Sequence, residues 1–282
     1  MNEDGLEEET ALEALVRLGH PDCSMSCGDQ DMDSFLRAKS GLVPCEVTEV
    51  VGDTAAGKSQ FCLSVMASFL RDPSKTSANI AFIDSNGSFR ASRLLQILQE
   101  RWDVTRREGE DLLKRVFVRR VSASADLSKA LSELLLEADS SGIQLLIVDS
   151  IGGALSDTLV DYLGSGQSVQ MSILDRMKKV ADAGRWVLVV NHLVYWRSSP
   201  TPALGYRWIN DIANRILITT DDSYADVHWM QVFPHRKMND DRVAVELTAA
   251  GVKCHAEATQ TQMPAQSQIM STFLMDLSSE GQ

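Results

Sequence analysis

A glycine-rich turn at residues 52–59, with the sequence GDTAAGKS, carries the clearest chemical signal in the chain. It fits the pattern G-x-x-x-x-G-K-[ST], in which the glycines let backbone N–H groups face a phosphate chain. The positive end of the helix that follows adds to this attraction. Lys58 then reaches the β- and γ-phosphates, and Ser59 becomes a ligand of Mg²⁺. The residues predicted to surround the phosphates are Gly52, Asp53, Thr54, Ala55, Ala56, Gly57, Lys58 and Ser59.

A second signal is the carboxylate that follows an apolar run at residues 145–150, LLIVDS. If this run is a buried strand beside the strand before the glycine-rich turn, Asp149 holds Mg²⁺ through water. The alternative is an ordinary Asp that begins a helix after a strand. Because the phosphate-binding turn precedes it in the same chain, we favour the metal role. Together the two motifs predict a site for ATP and Mg²⁺.

The elements that position these residues alternate between strands and helices. Apolar, strand-like runs are present at 47–51, 79–84, 116–118, 143–148 and 186–190, with amphipathic helical patterns between them. This alternation predicts a parallel sheet that is covered by helices on both faces. From residue 212 onward, short strands near 213–219, 227–233 and 242–248 are separated only by turns. The predicted fold class is therefore α/β, mostly parallel, with an antiparallel extension near the C-terminus.

Composition limits the class of protein. The 282 residues, 44% of them hydrophobic, suffice for one large α/β domain or two small ones. The net charge of 27 − 39 = −12 excludes an overall positive field, so any nucleic-acid contact must be a local patch. No apolar run could span a bilayer, and the acidic start lacks the basic residues of a secretory signal. We therefore expect a soluble intracellular protein with no membrane contact, and the odd count of five cysteines favours reduced thiols.

Two further segments are the most specific of all: IDSNGSFRASRL at 83–94 and PALGYRW at 202–208. With EVTEVVGDTAAGKSQFC, LLIVDS and VLVVNHL, they make the chain resemble the RecA-type recombinase family over about residues 33–251. More narrowly, the chain is similar to the eukaryotic paralogues of the strand-exchange recombinase, the D-type paralogue in particular. The resemblance implies a RecA-like P-loop ATPase core that binds ATP and Mg²⁺.

The resemblance also assigns individual residues. Arg93 falls where family members lay an arginine against the adenine, and Asn191 and His192 fall where the family senses the γ-phosphate. At the position of His192 the active recombinase has an amide. Asn86 stands where active family ATPases have a Glu that activates the attacking water. An amide cannot accept that proton, and loss of a general base costs ~10²–10⁴-fold in rate, so we expect ATP binding with slow or undetectable hydrolysis.

Two segments match the DNA-binding loops of the family, residues 161–170 and residues 192–208. The second interleaves aromatic residues with arginines, which suits stacking on single-stranded bases and charge contact with the backbone. The predicted DNA-contact residues are Tyr195, Trp196, Arg197, Tyr206 and Arg207, with Trp208 in the same segment. The alternative is a loop that lies on its own domain.

A basic stretch between residues 101 and 120 allows a second DNA contact. Its cations are Arg101, Arg106, Arg107, Lys114, Arg115, Arg119 and Arg120. Acidic residues are interleaved with them, and mixed charge on a helix is typical of a solvated, paired face. A DNA-entry role is the alternative. Further along, Arg236 and Lys237 either reach the nucleotide of a neighbouring subunit or belong to a hairpin turn.

The expected organisation is an acidic extension and linker (1–32), a RecA-like ATPase core (33–256) and a disordered tail (257–282). Because the phosphate-binding turn begins at residue 52, we expect no helical N-terminal domain, and a short hetero-oligomer rather than a filament. The resemblance implies a nuclear protein of homologous-recombination repair. It would join other recombinase paralogues and promote or stabilise the recombinase filament on single-stranded DNA.

Two alternatives to this function remain open. A DNA-stimulated ATPase requires another carboxylate, and Asp84, two residues before Asn86, could point to the same sheet face. A P-loop small-molecule kinase is the weaker alternative, because such enzymes need an arginine-rich lid and the sequence has no such segment.

Overall fold

The computed structural model describes residues 24–39, 41–137, 141–160, 165–196, 199–220, 227–233 and 241–255. In chain order its helices are α1 (Gln30–Ala38), α2 (Lys58–Arg71), α3 (Ala91–Trp102), α4 (Arg106–Leu113), α5 (Ser124–Leu136), α6 (Ile151–Ala154), α7 (Ser165–Asp182) and α8 (Gly205–Asp211). Short 3₁₀ turns lie at Pro73–Lys75 and Ser156–Val160. The strands are β1 (Val47–Gly52), β2 (Asn79–Asp84), β3 (Val116–Arg120), β4 (Ile143–Asp149), β5 (Trp186–Trp196), β6 (Ser199–Pro202), β7 (Asn214–Thr220), β8 (Val227–Phe233), β9 (Arg242–Thr248) and β10 (Gly251–Cys254).

The strands form one sheet in the order β10-β9-β8-β7-β1-β5-β4-β2-β3, and β6 pairs with the end of β5. The part from β7 to β3 is parallel, whereas β8, β9 and β10 are antiparallel to their neighbours. The predicted α/β fold with an antiparallel C-terminal extension is therefore confirmed. One detail differs, because β7 pairs in parallel with β1 and the antiparallel part begins only at β8.

Helices cover the sheet on both faces, as the alternation of strands and helices predicts. On one face α2 and α3 bury apolar side chains such as Phe61 and Leu98. On the other face α5, α7 and α8 do the same with Leu127, Met177 and Trp208. β1 is buried throughout and β4 at every residue but Gln144, which explains the apolar run of β4, whereas β1 also buries Thr48 and Glu49.

The edge strand β3 is an exception, and here the prediction of cover on both faces is wrong. The side chains of Phe117 and Val118 are 55% and 44% exposed. An apolar triplet in sequence looks the same in a central strand and in an edge strand, so only the strand order distinguishes them. Within the described part of the chain β3 pairs with β2 alone, which leaves a free strand edge with two exposed apolar residues.

The first described residues pack onto the core ahead of α1. Met25 and Cys27 are buried in it, and the backbone N–H of Cys27 donates to Asp33 Oδ1 at 2.6 Å. The limits of the core remain a prediction. Residues 1–23 of the predicted acidic extension, the tail at 257–282, and Arg236 with Lys237 lie outside the described residues.

Among the described residues no disulfide joins any of the cysteines, which are Cys27, Cys45, Cys62 and Cys254. In the part of the chain that the structure describes, no helix combines the length and apolar character needed to cross a membrane.

Candidate nucleotide-binding site

The glycine-rich turn joins the end of β1 to the start of α2. A Cβ atom at Gly52 would lie 2.0 Å from the carbonyl oxygen of Ile218 on β7, so only glycine fits where the two strands run together. Ala55 and Gly57 have φ angles of 65° and 93°, in the left-handed region. These conformations reverse the chain within a few residues and leave the first turn of α2, which begins at Lys58, facing the cleft.

Lys58 lies folded across this turn. Its Nζ atom donates hydrogen bonds to the carbonyl oxygens of Gly52 at 2.8 Å and Asp53 at 2.5 Å. Burial lowers the pKa of Lys58, while the charges of Asp149 and Asp53 act in the opposite direction. The ammonium group is thus held at the base of the turn, where an anionic ligand would meet it.

Ser59 and Asp149 meet beside Lys58. Ser59 Oγ donates to Asp149 Oδ2 at 2.5 Å. The expectation that the strand ending in Asp149 adjoins β1 is wrong, because β5 lies between β4 and β1. Burial raises the pKa of Asp149, the hydrogen bond from Ser59 lowers it, and the charge of Asp84 raises it further. A hydroxyl and a carboxylate are oxygen ligands that suit Mg²⁺, so these two residues fit the predicted metal role.

These groups open onto a cleft of about 300 Å³. Its lining consists of Thr54, Ala55, Gly57, Lys58, Ser59, Gln60, Asn86, Ser88, Asp149, Val190, His192 and Leu247. Among these described lining residues Asp149 is the one carboxylate. Leu247, on β9, is a wall residue that the sequence interpretation missed. It packs within reach of Gly57, where an added Cβ would lie 2.9 Å from its Cδ2 atom.

The site predicted for the water-activating group contains a hydrogen-bonded set of side chains. Asn86 Nδ2 donates to Ser150 Oγ at 3.2 Å, and His192 Nε2 lies 3.1 Å from the same oxygen. Burial and the charge of Lys58 lower the pKa of His192. Ser150, which is fully buried, was missed by the sequence interpretation. Its position directly after Asp149 was the only available signal.

Asp84, the alternative base, accepts hydrogen bonds from the backbone of the loop that follows β2. Its Oδ1 atom accepts the backbone N–H groups of Asn86 at 3.2 Å and Ser88 at 3.1 Å, and Oδ2 accepts that of Phe89 at 3.3 Å. The carboxylate is buried and does not line the cleft. Asp84 therefore shapes the loop that carries Asn86, and the structure gives no support to Asp84 as a substitute base.

Asn191 is fully buried and does not line the cleft, so the prediction that it contacts the γ-phosphate is not met by this arrangement. Its Nδ2 atom donates to Glu49 Oε1 at 2.7 Å and to the carbonyl oxygen of Ala203 at 3.1 Å. Glu49 also accepts from Trp208 Nε1 at 2.8 Å and from Arg215 Nε at 2.5 Å. The sequence interpretation missed this buried cluster, because an isolated Glu in an apolar strand gives no sign of its partners.

Arg93 uses its N–H groups to hold the turn between β9 and β10. It donates to the carbonyl oxygens of Thr248 at 2.6 Å and Ala249 at 2.8 Å, and to Gln60 Oε1 at 2.8 Å. Burial lowers the pKa of Arg93. All these hydrogen bonds lie in the plane of the guanidinium group of Arg93 and do not involve the flat face of that group. The stacking of this face against an adenine stays a prediction.

The family model described as Rad51 matches residues 22–201, which is more than half of the chain. The chain belongs to the Rad51 family. RAD51-like protein 1 of Caenorhabditis briggsae is 32% identical over 247 residues, which cover 88% of this chain and 96% of the relative. The protein of the same name from Caenorhabditis elegans is 32% identical over 226 residues, 80% of this chain and 86% of the relative.

A vertebrate relative agrees with this assignment. DNA repair protein RAD51 homolog 4 of Mus musculus is 34% identical over 202 residues, 69% of this chain and 60% of the relative. The predicted resemblance to RecA-type recombinase paralogues is therefore confirmed.

In this Rad51-family chain the second predicted DNA segment forms the β5–β6 hairpin and α8. Tyr195 and Tyr206 are 67% and 56% exposed, and Arg207 is also exposed. Tyr195 Oη donates to Asp53 Oδ1 at 3.3 Å, which links the hairpin to the glycine-rich turn. The side chain of Trp196 and the whole of Arg197 lie outside the described residues.

Two predictions about DNA-contact segments are wrong. Trp208 is fully buried against Glu49, because α8 turns its ring into the core. Residues 165–170, expected in a loop, form the first turns of α7, and Gln170 is buried with its Nε2 atom 2.8 Å from Thr158 Oγ1. The remainder of that segment, residues 161–164, lies outside the described part of the chain.

Five of the seven cations in the basic stretch near β3 make contacts within the chain, and a DNA-entry role stays a prediction. Arg101 donates to the carbonyl oxygen of Cys27 at 2.9 Å, and Arg115 donates to that of Ala78 at 2.9 Å. Other cations form the ion pairs Arg106–Glu110, Lys114–Asp111 and Arg119–Glu133. The mixed charge thus behaves as the paired surface that the sequence pattern indicated.

Proposed function

We propose that this Rad51-family chain binds ATP with Mg²⁺ as a conformational ligand and hydrolyses it slowly or not at all. The observation that carries this proposal is Asn86 on the wall of the cleft that holds Lys58, Ser59 and Asp149. When bound, ATP would present its phosphates to Lys58, and Mg²⁺, held by Ser59 and Asp149, would neutralise part of their charge. Without a carboxylate at residue 86, this side chain offers no strong base that could take a proton from the attacking water.

We further propose that the protein acts in the nucleus in homologous-recombination repair, where it assists the strand-exchange recombinase on single-stranded DNA. The exposed side chains Tyr195, Tyr206 and Arg207 on the β5–β6–α8 segment support this proposal. Aromatic faces stack on bases of any sequence, and arginine contacts the backbone. The contact of Tyr195 with Asp53 brings this surface next to the nucleotide cleft.

A hetero-oligomer with other recombinase paralogues is the third part of the proposal. The free edge of β3 offers unpaired backbone groups, and a groove of about 520 Å³ lies between the sheet edge and α5. Ala81, Ile83, Ala130 and Leu134 line it, with Phe117 beside them. An extended segment of a partner that adds a strand at this edge would cover both the backbone groups and the apolar side chains.

The test is the binding of a fluorescent single-stranded oligonucleotide, measured by anisotropy with and without ATP and Mg²⁺. Tyr195→Ala and Tyr206→Ala are each expected to weaken binding about 5- to 150-fold, the effect of ~1–3 kcal/mol per stacked base. Phe117→Ala is the matched control, since its ring has a similar exposure on a distant edge. Equal binding by the wild type and both tyrosine variants would contradict the proposed DNA surface. ATP turnover that rises strongly on addition of DNA would instead favour the DNA-stimulated ATPase.

A further inference from the structure

Glu49 is a buried carboxylate that connects the central sheet to the short helix α8. The strand register places it beside Arg215 on β7, whose Nε donates to Glu49 Oε2 at 2.5 Å. Both side chains are almost completely buried, so this ion pair is held within the sheet. The other oxygen, Oε1, accepts the indole N–H of Trp208 at 2.8 Å. Glu49 therefore ties α8 to two central strands.

The helix α8 depends on such contacts because it is short. It has seven residues, and isolated helices of fewer than ~12–15 residues are marginal in water. The side chain of Trp208 is fully buried in the core that also contains Leu204 and Ile212. A buried indole N–H needs an acceptor, because a buried donor without one is costly. Contacts with the core and with Glu49 therefore hold α8 in place.

The turn that leads into α8 is strained and is held by the same carboxylate. Leu204 has a φ of 78°, in the left-handed region that a bulky residue rarely adopts. Strain of this kind persists only where the surrounding structure holds it. The carbonyl oxygen of Ala203, directly before, accepts Asn191 Nδ2 at 3.1 Å, and the same amide donates to Glu49 Oε1 at 2.7 Å. Glu49 thus supports the turn through Asn191 and the helix through Trp208.

The orientation of Trp208 fixes that of the exposed residues beside it. Residues two apart on an α-helix differ by about 200° around its axis, so Tyr206 faces outward when Trp208 faces the core. In agreement, Trp208 is fully buried and Tyr206 is 56% exposed. Arg207, between them, is exposed as well. A ring that already points in one direction loses less freedom when it stacks on a base, which favours binding.

We propose that Glu49 is a positioning residue for the single-stranded DNA surface: through Trp208 it holds α8 so that Tyr206 is presented to a base. The inference rests on the proposed function, because Tyr206 belongs to the DNA surface proposed above. It adds a residue that acts on DNA binding from the core. The residues in contact with DNA are Tyr206 and Arg207.

Hydrogen exchange of the full, DNA-free chain, followed by mass spectrometry, tests the anchor. Trp208→Phe keeps an apolar ring but removes the N–H that binds Glu49. We expect the amides of residues 205–211 to exchange about 5- to 150-fold faster, as for one buried hydrogen bond lost. Trp186→Phe is the matched control, because the indole N–H of Trp186 is buried with no partner among the described residues. Equal exchange of α8 in the wild type and Trp208→Phe would overturn the anchor.

A double-mutant cycle tests whether Trp208 acts on DNA through Tyr206. The affinity for a fluorescent single-stranded oligonucleotide is measured at a temperature where every variant is folded. Trp208→Phe should weaken binding about fivefold or more in the wild-type background, but less than about twofold in the Tyr206→Ala background. The fivefold loss should persist in the Tyr195→Ala background, because Tyr195 lies on β5. Losses of equal size in all three backgrounds would show a general effect on stability and refute the positioning role.

Failure of this inference and failure of the proposed function give different results. A wild type that binds no oligonucleotide refutes the proposed DNA surface, and the DNA role of Glu49 with it. A wild type that binds, together with unchanged affinity in Trp208→Phe, refutes the positioning role alone.

Discussion

Ser59 Oγ and Asp149 Oδ2 lie 2.5 Å apart, although 90 residues separate them in the sequence. Their hydrogen bond joins the start of α2 to the end of β4 across the intervening strand β5. Ser59 is the predicted direct ligand of Mg²⁺ and Asp149 the residue predicted to hold it through water, so this hydrogen bond places both groups beside one cation position. In the free protein the bond keeps the two ligands together and gives the buried carboxylate a partner.

Asp149→Asn is expected to stabilise the nucleotide-free protein while abolishing the effect of Mg²⁺. Burial raises the pKa of Asp149 above its ordinary value of 3.8, so ionisation at pH 7 opposes folding. Removing the charge should raise the Tm by about 2–4 °C, which corresponds to ~1 kcal/mol for a chain of this size. Calorimetric scans with and without ATP and Mg²⁺ measure both effects.

The sign of the pH dependence gives a further check on Asp149. A raised pKa means that the folded state binds the proton more tightly, so the penalty is present above that pKa and disappears as the pH falls through it. The Tm difference between Asp149→Asn and the wild type should therefore narrow as the pH is lowered towards 4. A wild type that is more stable than the variant at pH 7 without ligand would contradict this view.

The buried cluster around Glu49 predicts a large stability effect. Glu49→Ala leaves Arg215 buried without its partner, which typically costs ~3–5 kcal/mol. Trp208→Phe removes one of three donors to the carboxylate and should cost ~1–3 kcal/mol. Urea denaturation measures both. The double variant with Glu49→Leu and Arg215→Leu should lose less free energy of unfolding than the two single leucine variants added together. Strict additivity of the two losses would exclude a coupled pair.

Gly52→Ala tests the close approach of β1 and β7. The added Cβ would lie 2.0 Å from the backbone oxygen of Ile218, and backbone in a central sheet cannot move aside easily. We expect a loss of ~3 kcal/mol or more in the free energy of unfolding. Gly184→Ala is the control, since Gly184 has a φ of 80° with open space around it and should lose only ~1 kcal/mol. Similar losses at both positions would show that steric contact with β7 is not decisive.

Phe117→Asp tests the free edge of β3 as a partner surface. A charge there should weaken binding to a co-expressed recombinase paralogue at least ~30-fold, as expected for a residue worth ~2 kcal/mol at an interface. Its stability should change by no more than ~0.5 kcal/mol, because the ring is already exposed. Leu159→Asp, on an exposed 3₁₀ turn far along the chain, is the matched control. If both variants bind the partner equally well, another surface makes the contact.

The sequence predicts the order of the strands and helices well, because each buried strand and each amphipathic helix has its own local periodicity. The phosphate-binding turn is equally local, and Lys58, Ser59 and Asp149 all lie at the cleft as expected. What local patterns cannot reveal is which strands are neighbours. For this reason β3 was expected to be covered on both faces, and β4 was expected to adjoin β1.

The errors within the site have the same origin. Asn191 and Trp208 were expected at a ligand surface, but both side chains turn to Glu49, a partner far away in sequence. Leu247 was missed because nothing in its own segment marks it, and for Ser150 the one signal was its position directly after Asp149. Side-chain direction at a strand end or in a short helix depends on the packing of distant elements, which one sequence does not contain.

The decisive experiment on the nucleotide site measures ATP binding by calorimetry together with ATP turnover, each with and without single-stranded DNA. We expect ATP to bind the wild type, to bind Lys58→Ala at least about tenfold more weakly, and to be turned over by both no faster than the blank without protein. Asn86→Glu should then raise turnover about 10²-fold or more by supplying the missing base. Rapid turnover by the wild type that is lost in Lys58→Ala would rule out the proposed slow hydrolysis, because it would require a base other than the side chain at residue 86.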